Sequence, residues 1–159
     1  VTRAAETCNS AGNSTVFNDS EGVLYAELAS LAEAVGNSKQ FSISDGSNSN
    51  SIRFAYRNTN NEIQLVVRDG GTNTVNLTTI LSPSVTNFFK IAFKYKADDC
   101  ALFVNGVKTN TDTSATMPSG LSTFNFDRGD GGNDYIGKVK NIQVYNTALT
   151  DAELIELTS

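Results

Sequence analysis

Apolar and polar residues alternate along much of this chain in short runs. Ile52, Phe54 and Tyr56 fall on one side of a run, with Arg53, Ala55 and Arg57 on the other. Ile63, Leu65 and Val67 stand opposite Gln64, Val66 and Arg68. The clearest run sets Phe89, Ile91, Phe93 and Tyr95 against Lys90, Ala92 and Lys94. A period of two predicts strands with one face buried and one solvated, as in antiparallel sheets. Further strands are predicted at 41–44, 75–81, 101–104 and 123–126, separated by clusters of Asn, Asp, Gly and Thr that favour turns. Asn105-Gly106 stands between residues 101–104 and Val107-Lys108, the strongest short hairpin signal in the chain.

Two segments need separate treatment. Residues 23–35 carry Leu24, Leu28, Leu31 and Val35 at helical spacing, yet Leu24, Ala26 and Leu28 also share one face of a strand. We expect a strand over 23–29, then a loop or a short helical turn. A last strand over 138–145 leads into a helix start, where Thr150 can cap Glu153, Glu153 can reach back, and Leu149 can staple to Leu154. Strands at this spacing without intervening helices predict an all-β antiparallel sandwich or barrel with a short C-terminal helix. No repeat or linker interrupts it, so residues 1–159 are expected to form one domain.

Composition narrows the function classes. The 159 residues suffice for a sizeable core, although only 39% are apolar and 18% charged, with Asn, Ser, Thr and Gly making up the difference. A net charge of -5 argues against a nucleic-acid partner, which needs clustered Lys and Arg. No apolar run is long enough to span a bilayer, and no signal peptide is visible. The chain opens on Val1, so it is expected to be a piece of a longer protein. Absence of His and of any CxxC spacing removes zinc and haem sites. Cys8 and Cys100 could form a disulfide, or stand as buried or surface thiols; their count does not decide.

Two stretches resemble the concanavalin A-like, laminin-G-type jelly-roll superfamily. One is Lys90-Ile-Ala-Phe-Lys-Tyr with Cys100-Ala-Leu-Phe-Val-Asn-Gly-Val; the other is the closing run from Gly137 to Leu154. The opening Val1-Thr-Arg-Ala-Ala-Glu and Glu21-Gly-Val-Leu-Tyr-Ala-Glu resemble a subgroup in bacteriophage tail and other virion proteins. The resemblance implies two packed antiparallel sheets and binding of carbohydrate or protein, in some members with calcium. It implies a lectin-like module displayed on a virion or a secreted protein, outside the cell. A decoration domain that contacts other virion subunits without binding sugar is the competing expectation.

Candidate chemistry follows. Glycoside hydrolysis needs two carboxylates flanking one bond, and no predicted strand carries the Glu-x-Asp-x-x-Glu pattern of the superfamily's glucanases; Glu27 and Glu33 share no strand. Without His, lyase and triad arrangements also fail, so no enzyme is expected. The loop 126–135 gathers Asp127, Arg128, Asp130, Asn133, Asp134 and Tyr135 among glycines. Asp127, Asp130 and Asp134 offer hard oxygens for calcium, while Asp127, Arg128, Asp130, Asn133 and Tyr135 could bind a sugar. A plain solvated glycine loop is the competing reading. Arg53, Arg57, Arg68, Lys90 and Lys94 form a basic outward row by parity. If their strands are neighbours, Arg53 and Arg68 would help seat an acidic polysaccharide; scattered outward cations, which deter edge pairing, are the alternative. With no Trp, Tyr135 is the best exposed ring for stacking on a sugar. The sequons at Asn13, Asn18 and Asn76 match what chance supplies in a chain this rich in Asn, Ser and Thr.

Overall fold

The structure is a computed structural model that describes residues 12–31, 39–57 and 61–159. Its strands in chain order are β1 (Glu21–Ser30), β2 (Lys39–Ser44), β3 (Ser51–Tyr56), β4 (Glu62–Asp69), β5 (Thr72–Ile80), β6 (Phe89–Lys96), β7 (Cys100–Val104), β8 (Val107–Asp112), β9 (Thr123–Asn125) and β10 (Gly137–Tyr145). One helix, α1 (Asp151–Thr158), follows. The strands form two five-stranded antiparallel sheets, ordered β10-β1-β6-β7-β8 and β5-β4-β3-β2-β9. Every segment expected to be a strand is one, including residues 23–29 within β1; residues 32–35 lie outside the described set.

Alternation explains how the sheets meet. Ile52, Phe54 and Tyr56 of β3 and Ile63, Leu65 and Val67 of β4 face Leu24, Leu28, Ile91, Phe93 and Tyr95 of the other sheet in one continuous core. The Asn105-Gly106 turn joins β7 to β8 with both residues at positive φ, 47° and 78°, as a type I′ hairpin requires. Cys100 is a buried free thiol, its pKa pushed up to about 11 by burial, while Cys8 lies outside the described residues.

The sheet β10-β1-β6-β7-β8 is buried on its outer face too. Val23, Tyr25, Ala92, Ala101 and Phe103 form a smaller core there, closed by Leu154 of α1 and by Leu149 and Tyr145. Phe103 is therefore buried beneath the helix rather than between the sheets. The Thr150 side chain accepts from the Glu153 amide at 3.3 Å, and the Glu153 carboxylate accepts from the Thr150 amide at 2.8 Å. This is the reciprocal cap read from the sequence. No helix among the described residues is long and apolar enough to cross a membrane.

Candidate ligand-binding site

The outer face of the other sheet has a different chemistry. Register places Asn125, Ser42, Arg53 and Val66 side by side across β9, β2, β3 and β4, and Thr123, Ser44, Ser51 and Arg68 in the next row. These positions alternate with core residues, so strand geometry alone aims them outward. They are nevertheless covered. Ser42, Ser44 and Ser51 have no exposure, and Arg53 retains only 8%.

Two loops make the cover. In residues 45–50, the Asp45 carboxylate accepts from the Ser47 amide at 2.9 Å and from the Asn50 side chain at 2.8 Å. The Asn48 side chain then accepts from Arg53 Nη1, and Ser49 and Asn50 accept from the Gly71 and Gly70 amides at 2.9 Å. In residues 126–135, Phe126 and Gly132 carbonyls accept from the Tyr135 and Arg128 amides, each at 2.8 Å. Gly129 lets this loop descend onto β2: its φ is +98°, and a Cβ there would lie 2.9 Å from Ser44 Oγ and from the Ser47 carbonyl. Between the loops opens a cleft of about 420 Å³, lined by Thr123, Asn125, Asp127, Gly129 and Asp130.

Charge in this region is concentrated, with arginines and carboxylates close together. Burial, then the like charges of Arg68 and Arg128, push the Arg53 guanidinium down to about 10, with Asp130 opposing. Arg68 gives Nη2 to the Gly71 carbonyl, while its buried Nε finds no partner. Arg128 forms a two-point pair with Asp130, Nε at 3.0 Å and Nη2 at 2.8 Å. That bond raises the Arg128 pKa and lowers the Asp130 pKa. Ser42 Oγ, Ser51 Oγ and Gln40 Oε1 are also buried with no partner. Three guanidiniums beside two carboxylates, Asp127 and Asp130, leave a net positive charge that suits an anionic, hydroxyl-bearing ligand.

Several sequence expectations change here. The basic row divides between the two outer faces, because β3 and β4 belong to one sheet and β6 to the other. Arg53 and Arg68 keep company as expected, although Arg53 is buried rather than solvated. Lys90 and Lys94 instead secure α1: Lys90 Nζ donates to the Ser159 carbonyl, and Lys94 pairs with Asp99 at 2.7 Å and Asp151 at 3.2 Å. Tyr135 is no open stacking platform. Its ring packs edge-on against Phe41, with centroids 5.7 Å apart, and its hydroxyl donates to the Ala29 carbonyl at 3.0 Å. Asn133 takes a positive φ of 60° and its carbonyl accepts from the Gln40 amide, so it ties the loop to β2 through its backbone.

The expected calcium ligands Asp127, Asp130 and Asp134 are not brought together. Asp130 is engaged by Arg128, and Asp127 Oδ1 accepts from the Gly129 amide. Asp134 bridges to Gln40 through its backbone. Among the described residues no three Asp, Glu, Cys or His side chains converge. Sequence reasoning overlooked Ser42, Ser51 and Asn48. The first two were accessible from parity, whereas the reach of Asn48 depends on how its loop folds back.

Comparison with known proteins bears on the fold. No curated protein matches the chain in sequence. Among solved structures, the carbohydrate-binding module (CBM40) of the Ruminococcus gnavus IT-sialidase, bound to α2,3-sialyllactose, superposes with a TM-score of 0.72 at 18% identity, covering 99% of this chain and 97% of that one. The leech intramolecular trans-sialidase gives 0.70 at 21% identity over 97% of this chain and 26% of that chain. A SAP-like pentraxin from Limulus polyphemus gives 0.68 at 12% identity, over 99% and 78%. Residues 30–155 match the laminin-G-type family described as the concanavalin A-like lectin/glucanases superfamily. With two five-stranded antiparallel sheets and a match over most of its length, the chain belongs to the concanavalin A-like lectin/glucanases superfamily.

Proposed function

We propose that this chain is a non-catalytic carbohydrate-binding module of a larger virion or secreted protein, acting outside the cell or on a virion surface. Its ligand is a glycan carrying carboxylate or sulfate groups, held in the cleft between residues 45–50 and 126–132. The observation that carries this reading is the cluster of Arg53, Arg68 and Arg128 with Asp130 as its nearby counter-charge. Such a cluster costs stability unless an anion completes it, and guanidinium pairs with carboxylate or sulfate in two-point geometry. Thr123 and Asn125 on the cleft wall place polar side chains beside the charges. The similar Ruminococcus gnavus module, captured with an acidic oligosaccharide, supports the same class of ligand.

A binding rather than a cleaving role is supported by Asp130, whose carboxyl Arg128 holds below the ordinary value and so in its ionised form. Affinity electrophoresis through gels containing acidic or neutral polysaccharides tests the proposal. Retardation by acidic polymers, weakened by salt, is expected; equal mobility in every gel would overturn it and favour a structural domain.

A further inference from the structure

The Arg128–Asp130 pair has a feature that ligand binding alone does not explain. Asp130 is two residues from its partner on a loop whose flanking glycines both take positive φ, 98° at Gly129 and 79° at Gly131. A Cβ on Gly132 would sit 3.1 Å from Arg128 Nη2 and 3.3 Å from Asp130 Oδ1, so the pair lies directly against that backbone. A Cβ on Gly131 would meet nothing within 4 Å, so the loop faces open space there. Both partners remain about a third exposed, 35% and 31%, within reach of solvent and of a ligand.

We infer that Asp130 is a tethered counter-anion: it occupies the seat on Arg128 that the ligand's acidic group takes, and so determines which anions enter. The inference rests on the anionic-glycan reading above. Asp130 presents a carboxylate to Arg128 through two parallel bonds, the geometry an incoming carboxylate or sulfate would adopt. Exchange at Arg128 trades two bonds for two. The net gain then comes from what Asp130 does not supply, namely the nearby charge of Arg53 and contact with Thr123 and Asn125 of the cleft wall. A ligand whose anionic group cannot reach those atoms gains little over the tethered carboxylate. Asp130 thereby discriminates by position as well as by charge.

The test compares wild type with Asp130→Asn, which keeps an Oδ1 to accept from the Gly132 amide, now at 3.2 Å. Acidic-oligosaccharide affinity should rise at least about fivefold, with a steeper salt dependence, and by more than any change in neutral-oligosaccharide affinity. In parallel, inorganic sulfate is titrated against the melting temperature of both proteins. A larger sulfate-induced rise in Asp130→Asn supports the inference even if no glycan binds, an outcome that would remove the proposed function alone. Equal sulfate responses and unchanged or lower glycan affinity would overturn the inference. If Asp130→Asn does not fold, Asp130→Ser is read by the same criteria.

Discussion

Arg53 carries its charge at 8% exposure, near Arg68 and Arg128, with a loop asparagine as its hydrogen-bonding neighbour. A residue in that position weakens the fold that holds it: burial lowers its pKa to about 10, so below that pH it remains charged and the cost of burying the charge is present in full. Arg53→Met keeps the length and removes the charge. Its melting temperature should equal or exceed wild type, whereas acidic-glycan affinity should fall by roughly ten- to a hundredfold, the worth of a charged hydrogen bond. A variant losing stability and affinity together would argue for a structural arginine. Gly129 makes the opposite case. At φ +98° and facing the Ser47 carbonyl, it cannot take a methyl group without moving the loop. Gly129→Ala should cost more than about 1 kcal/mol in denaturant unfolding and should weaken ligand binding as the cleft wall shifts.

At the scale of elements, α1 serves the sheet opposite the site. Lys94 is drawn down by burial, but its bonds to Asp99 and Asp151 outweigh this and raise its pKa. Asp151 is held below the ordinary carboxylate value of 3.8, first by its bond to Lys108 and then, against burial, by Lys94. The sign follows for each partner. The Asp151 contribution is present above pH 3.8 and lost as pH falls through its lower folded value; the Lys94 contribution is present below pH 10.5 and lost as pH rises through its higher one. Asp151→Asn should therefore flatten the acid limb of a stability-pH curve below about pH 4 without altering glycan binding. Thr150→Ala, which removes one half of the reciprocal cap, should cost about 1 kcal/mol.

The elements themselves were legible because period-two alternation records burial directly. Phe89, Ile91, Phe93 and Tyr95 could occupy only a sheet's inner face, and Thr150 with Glu153 announced a helix start. Strand neighbourhood was not legible. Nothing local says that β1 lies between β10 and β6, or that Lys94 and Arg53 belong to opposite faces. Parity likewise gives direction and not cover. It places Arg53 outward without showing the loop above it. Tyr135 was misjudged for the same reason. A tyrosine beside glycines looks exposed until Gly137 admits its hydroxyl, within 2.3 Å of where a Cβ would be.

Across the whole molecule, the two outer faces have been closed by different means. One is apolar and sealed by α1 through Leu154, a contact that only stabilises. The other is polar and covered by two glycine-bearing loops, leaving buried serines without partners and an arginine cluster beside a cleft of about 420 Å³. A domain of this superfamily could have filled both faces with apolar side chains, and the asymmetry is what favours the polar face for the proposed ligand. The most direct test is calorimetric titration of the wild-type domain with an acidic oligosaccharide and with the same oligosaccharide after its carboxylates have been reduced to alcohols. The account predicts measurable binding of the acidic form, weakened by salt, and at least a tenfold loss on reduction. Equal affinity for both forms, or no binding of either, would contradict it.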